Sequence, residues 1–271
     1  MPNYIDVHSH LNFPEYDTDR DEVLARMKEK GIWTITVGTD LESSKSAVEL
    51  AAKHEGIFAC VGIHPTDDST NDPSVFKELT TLASDPKVVA IGECGLDYFR
   101  LTGAARETDI SEEAVTAAKN KQKAVFAAQI DLAIQTNKPL MIHCRDAYDD
   151  VYEMLTAAKK EAGDKLRGNV HFFAGDLATA KKFVDLGFTL SFGGVLTFTK
   201  QYHEVLRSVP LSSIMSETDA PYVSPAPYRG RRNESTYVEE VVKAIAEIKG
   251  LDFEEVRGTL VSNAVSFFGL K

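Results

Sequence analysis

The chain has 271 residues, 30 Lys and Arg against 41 Asp and Glu, and a formal net charge of −11. Hydrophobic residues make up 43% and charged residues 26%, an ordinary globular balance that excludes disordered and collagen-like classes. The acidic total argues against a protein that coats nucleic acid by bulk charge, while leaving room for local contacts to a few phosphates.

No apolar run reaches the ~18–20 residues of a membrane span. The opening Met1-Pro2-Asn3-Tyr4-Ile5-Asp6 lacks the basic n-region and apolar core of a signal peptide. The cysteines are Cys60, Cys94 and Cys144, an odd count without C-x-x-C. That pattern fits a reducing compartment rather than a disulfide framework, so a cytoplasmic location is expected.

Along the chain, Tyr4–Val7 is expected as a first strand, followed by a helix over Asp21–Lys30 that stops at Gly31. Trp33–Val37 is the second strand and Ser43–Lys53 the next helix. Phe58–Val61 and Val88–Ile91 follow as strands. Arg100–Lys119 looks like an extra loop and half-helix, and Glu112–Thr136 like a long helical stretch. Pro139–Ile142 and Asn169–Phe172 are the fifth and sixth strands. A helix over Ala178–Leu186 stops at Gly187, and Phe188–Ser191 and Ser213–Ser216 complete the strands. The tail reads as two helices, Thr236–Ile248 and one from Phe253 to Phe267-Phe268-Gly269.

Eight strands alternating with helices imply a parallel sheet with helices outside. Polar residues follow the strands all along the chain rather than at one switch point. That favours a closed (β/α)8 TIM barrel with C-terminal helices over an open doubly wound sheet, and residues 1–271 are expected to form one domain.

The candidate chemistry lies at the strand ends. Strand one ends His8-Ser9-His10, whose imidazoles, two residues apart, share a face. Strand four ends Gly92-Glu93-Cys94-Gly95, and a buried carboxylate there is costly unless paired or bound to a cation. His143, His171 and Asp219 stand at the ends of strands five, six and eight. In a barrel these ends converge on one face. Imidazole and carboxylate without thiolate suit Zn, Mn, Fe or Ni, or Mg where carboxylate and water dominate. So many ligands exceed one tetrahedral shell, and two divalent ions sharing a carboxylate bridge is the economical arrangement. Cys94 and Cys144 neighbour ligands but face the opposite side, as packing residues.

The motifs D-V-H-S-H at 6–10, G-I-H-P at 62–65, G-E-C-G-L-D-Y at 92–98, I-H-C-R-D-A at 142–147, E-T-D-A-P-Y at 217–222 and P-Y-R-G-R-R-N at 227–233 occur in that order. Together they resemble the TatD-related metal-dependent deoxyribonucleases of the amidohydrolase-like superfamily, over essentially the whole chain. The resemblance implies a (β/α)8 barrel that hydrolyses phosphodiester bonds in DNA, with 3′→5′ exonuclease as the best-known activity. It implies that His8 and His10 bind one metal, that Glu93 bridges two, and that His143 and His171 bind the second. Asp219 would ligate and act on the attacking water, with Glu93 and Asp219 as the catalytic pair. His64, Arg145 and Arg229 would lie near the substrate phosphate. Glu217 would orient a ligand from behind. The metals implied are Mg, Mn or Zn, and the partner is DNA, single-stranded or at its 3′ ends. No membrane is involved, and a monomer is the default.

Arg229, Arg231 and Arg232 are the most concentrated basic run in the chain, flanked by Tyr222 and Tyr228. They suit a clamp on backbone and an unpaired base, or a solvated loop paired with Glu234 and Glu239–Glu240. Arg145 suits a bidentate phosphate contact or an ion pair to Asp146 or Asp149. His64 suits a phosphate contact or a loop cap. Tyr98 and Phe99 are expected to wall the pocket. The chain departs from the family pattern at Phe172-Phe173-Ala174-Gly175, where a hydroxyl is absent at Ala174, and at Glu234-Ser235. The same centre also suits an amidohydrolase or esterase acting on an amide, lactone or aminoacyl-tRNA ester.

Overall fold

The computed structural model describes residues 1–67, 73–102 and 110–271. Its strands are β1 (Tyr4–Ser9), β2 (Ile32–Val37), β3 (Ile57–Val61), β4 (Val88–Asp97), β5 (Leu140–Arg145), β6 (Gly168–Val170), β7 (Thr189–Phe192) and β8 (Ile214–Ser216). All are parallel to their neighbours in one sheet ordered β1 to β8. Ser9 bridges Ala220, and the His10 amide donates to the Ala220 carbonyl at 2.7 Å. The Asp219 amide donates to the His8 carbonyl at 2.9 Å. The chain beyond β8 therefore returns to β1, and the sheet curls into a (β/α)8 barrel.

The helices are α1 (Arg20–Lys30), α2 (Leu41–Lys53), α3 (Pro73–Leu82), α4 (Glu112–Thr136), α5 (Tyr148–Ala162), α6 (Leu177–Asp185), α7 (His203–Ser208), α8 (Val238–Lys249) and α9 (Phe253–Phe268). Asp40 caps α2 in a reciprocal box with Ser43, and Gly31 ends α1 at φ +66. The helices α3, α5 and α7 are not among those expected from the sequence pattern. The expected loop over Arg100–Lys119 lies partly outside the described residues, and from Glu112 onward it is the start of α4. No described helix is long and apolar enough to cross a membrane.

Strand lengths differ from expectation where it matters for the site. β4 continues to Asp97 and β5 to Arg145, so Glu93, Asp97, His143 and Arg145 lie within strands. β6 stops at Val170, so His171 begins a turn. Val37, Cys60, Met141 and Met215 cluster with Val261, Ala264 and Phe268 of α9. Met141 shares a face with His143, and Met215 with Glu217, so this apolar layer lies beneath the polar one.

Candidate metal centre

β4 approaches β5 more closely than side chains allow. A Cβ on Gly92 would stand 2.4 Å from the Met141 carbonyl oxygen, and one on Gly95 2.0 Å from that of His143. Both glycines also hold positive φ, +153 and +134. This approach sets Glu93 and Asp97 beside His143.

Glu93 is buried among five imidazoles, those of His8, His10, His64, His143 and His171. Its Oε1 lies 2.9 Å from His171 Nε2 and 3.0 Å from His143 Nδ1. Its Oε2 lies 3.4 Å from His8 Nε2 and 3.6 Å from His10 Nε2. Asp219 Oδ1 approaches the same two nitrogens at 3.7 and 3.5 Å. His8, His10 and Asp219 thus form one group, and Glu93, His143 and His171 another. Within each, the ligand atoms lie within 4.8 Å of one another. Glu93 turns one oxygen to each group.

Electrostatics follow from this crowding. Burial pushes the Glu93 carboxyl up, but His171, His64 and His143 outweigh it and hold the group well below the usual carboxylate range. Burial likewise opposes ionisation of Asp219, and the His10 hydrogen bond with the charges of His8, His10 and His171 brings its pKa below the usual value. Burial pushes His171 down, while Glu93 and Glu217 lift it well above the ordinary imidazole range.

The donor atoms fit a divalent cation. His8 Nε2 and His10 Nε2 face each other at 3.3 Å. The Val37 carbonyl, which only accepts, lies 3.0 Å from His10 Nδ1, so that nitrogen carries the proton and Nε2 turns its lone pair inward. Asp97 Oδ2 lies 3.1 Å from His143 Nε2; with that nitrogen donating to Asp97, Nδ1 has its lone pair directed toward Glu93 and is able to bind a cation. Nitrogen and carboxylate oxygen without thiolate suit Zn, Mn or Mg. The Cys94 thiol is instead hydrogen-bonded to the Met141 carbonyl, and no cysteine joins these groups among the described residues.

Supporting contacts surround the two groups. Glu217 accepts from the Phe172 amide at 2.6 Å and from the Ser191 hydroxyl. It thereby holds Phe172 at φ +45, beside His171, whose Nδ1 faces Glu217 Oε1 at 3.8 Å without a hydrogen bond. Two supporting carboxylates escape the sequence patterns. Asp97 is one. Asp6 is the other: it accepts from the Thr218 hydroxyl at 2.6 Å and amide at 2.8 Å, and burial raises its pKa to about 7. Asn233 donates to the Thr218 and Tyr222 carbonyls, tying the arginine loop to the end of β8.

The expected substrate contacts separate into distinct places. His64 stands at the centre, its Nε2 3.6 Å from Glu93 Oε1. The Thr66 amide donates to its Nδ1, so Nε2 carries the proton, and burial with the charge of His143 lowers its pKa to about 4. The Arg145 guanidinium lies 3.5 Å over the Phe99 ring. It makes no ion pair among the described residues; Asp149 pairs with Lys182. Phe99 lines a groove with Arg145, whereas Tyr98 is buried and donates to Asp150 at 2.7 Å.

Arg229 stacks 4.0 Å over Phe198 and donates to the Ser224 carbonyl, with no contact to the imidazole–carboxylate cluster. Arg232 makes a bidentate pair with Asp19 at 2.8 and 2.6 Å and covers Tyr16. The expected acidic partners of this run bind other cations instead. Glu234 pairs with Arg26, and Glu239 with Lys30, because α1 lies against that segment. Tyr222 is 47% exposed and 6.1 Å from His10, while Tyr228 stacks on Tyr237.

The family model for TatD related DNase matches residues 5–269. The chain is 39% identical to the metal-dependent hydrolase YabD of Bacillus subtilis (strain 168), over 97% of this chain and 98% of that one. It is 31% identical to the 3'-5' ssDNA/RNA exonuclease TatD of Klebsiella pneumoniae (strain 342), over 98% and 97%. Among solved structures, YJJV, a TatD homolog from Escherichia coli K12, superposes with TM-score 0.86 at 25% identity, over 99% of both chains.

Proposed function

Because the chain belongs to the TatD-related DNase family of metal-dependent hydrolases, we propose that it cleaves phosphodiester bonds in DNA, removing nucleotides from single-stranded 3′ ends. The observation that carries this reading is Glu93, buried between two ligand groups with one oxygen toward each. Two divalent ions would be held there, one by His8, His10 and Asp219, the other by His143 and His171, with Glu93 offering an oxygen to each group. Such ions supply neutralisation of the phosphodiester charge and an acidified water.

The protein's own groups do the rest. Asp219, kept ionised by the neighbouring imidazoles, takes a proton from the attacking water. His64 is uncharged near neutral pH and offers its Nε2 proton to a phosphate oxygen. Arg145 presents its free N–H edge to the same anion, and Arg229, held over Phe198, completes the phosphate contacts. Glu217 and Asp97 keep the ligands in place. The reaction runs in one cytoplasmic hydrolase domain spanning residues 1–271.

The test is a 5′-labelled single-stranded oligonucleotide incubated with the metal-loaded protein. A ladder shortening one nucleotide at a time from the 3′ end is expected. Internal cleavage, or shortening from the other end, overturns the exonuclease assignment.

A further inference from the structure

Beside the His143 edge of the centre lies a groove of about 690 Å³. Its walls include Phe99, Arg145, Asp146, Tyr148, Gln201 and Tyr202. It is joined rigidly to the centre. The Phe99 amide donates to Asp97 Oδ1 at 2.9 Å, and Asp97 Oδ2 holds His143. Across the strands, Asp97 is registered opposite Arg145, and the Tyr98 amide donates to the Arg145 carbonyl at 2.8 Å.

We propose that this groove is a nucleobase subsite, taking the base of the nucleotide joined to the phosphate being cut. The inference rests on the nuclease reading and extends it to a part of the substrate that the metal centre does not touch. One face of the Arg145 guanidinium is covered by Phe99 at 3.5 Å; the residue is exposed on the groove wall, and no carboxylate pairs with it among the described residues. A flat cation backed by an aromatic ring is a surface on which a base stacks. The groove's edges are mixed. Gln201 offers a donor and an acceptor, and Asp146 accepts only. The Tyr148 hydroxyl oxygen accepts from the Ala174 amide at 3.0 Å, which leaves its proton to donate. A second phosphate is disfavoured by the Asp146 carboxylate. A base, flat and carrying both donors and acceptors at its rim, suits these walls.

The test compares 2′-deoxyadenosine 5′-monophosphate with 2-deoxyribose 5-phosphate, which lacks the base, by calorimetric titration of the metal-loaded protein. The wild type should bind the nucleotide about tenfold more tightly, the scale of one base–side-chain stack. Phe99→Leu and Arg145→Ala should each bring that ratio close to one; Arg145 is exposed, so its variant folds even where a change at Phe99 does not. Equal binding of the two ligands by the wild type, or a ratio unchanged in both variants, overturns the subsite. Hydrolysis is measured separately. If no oligonucleotide is cut while the base-dependent ratio holds and falls in the variants, the nuclease reading fails and the base subsite stands. If oligonucleotides with and without a base at the 3′-terminal position are cut with the same KM, the subsite fails and the nuclease reading stands.

Discussion

Asp97 grips the outer nitrogen of His143 at 3.1 Å while the inner nitrogen of the same ring faces Glu93 at 3.0 Å. A carboxylate behind a ligating imidazole fixes its tautomer and raises its basicity. Asp97 is itself fixed, its amide and carbonyl both bonded to the Gln122 side chain. Asp97→Ala should therefore weaken metal binding by about 10- to 100-fold. Calorimetric titration of the metal-free variant checks this, with the loss confined to one class of site. Wild-type affinity at both would remove Asp97 from the centre.

Asp219 has a different task. Asp219→Asn keeps the shape and one oxygen but cannot accept a proton. Turnover should fall by about 100-fold or more, with the thermal midpoint nearly unchanged. Near-wild-type turnover with metal bound would show that Asp219 serves as a ligand only.

Gly95 predicts a mainly structural failure. A methyl there meets the His143 carbonyl at 2.0 Å, against backbone that cannot swing aside, and φ is +134. Gly95→Ala should lower stability by more than the ~1 kcal/mol typical of single substitutions and displace His143. Thermal unfolding and metal content should drop together.

The arginine run should divide in two. Arg232 is committed to Asp19 and Tyr16, so Arg232→Ala should lower Tm by about 2–4 °C and leave KM for DNA unchanged. The effect has a defined pH window. Arg232 lowers the folded-state pKa of Asp19 below its usual value. The stabilisation is thus present above the ordinary aspartate pKa and lost as pH falls through the lowered one. Wild type and variant should converge in melting temperature at acid pH; a constant gap would mean that packing on Tyr16 carries the whole effect.

Much of this site can be read from sequence because its imidazoles and carboxylates lie in or just beyond the C-terminal parts of strands, where period-two alternation and barrel closure say which side chains meet. His8, His10, Glu93, His143, His171 and Asp219 are all of this kind. Asp97 is hidden because Gly92 and Gly95 disguise the continuation of β4. Once the strand is known to run on, Glu93, Gly95 and Asp97 share a face at i, i+2 and i+4. Asp6 is hidden for another reason: its partner Thr218 lies 212 positions away, and only closure of the barrel joins them. The partners of Arg232 and Glu234 are similarly remote, so charge patterning along the loop points to neighbours that bind elsewhere.

A two-metal hydrolase acting on DNA is tested most directly by metal titration. Metal-stripped protein should be titrated with Mn while hydrolysis of a 3′-labelled single-stranded oligonucleotide is followed, with an amide and ester panel run alongside. Hydrolysis should be absent without metal, and activity should rise to a plateau as two equivalents bind. A plateau at one equivalent, or hydrolysis of the amides or esters with the oligonucleotide left intact, would contradict the two-metal nuclease.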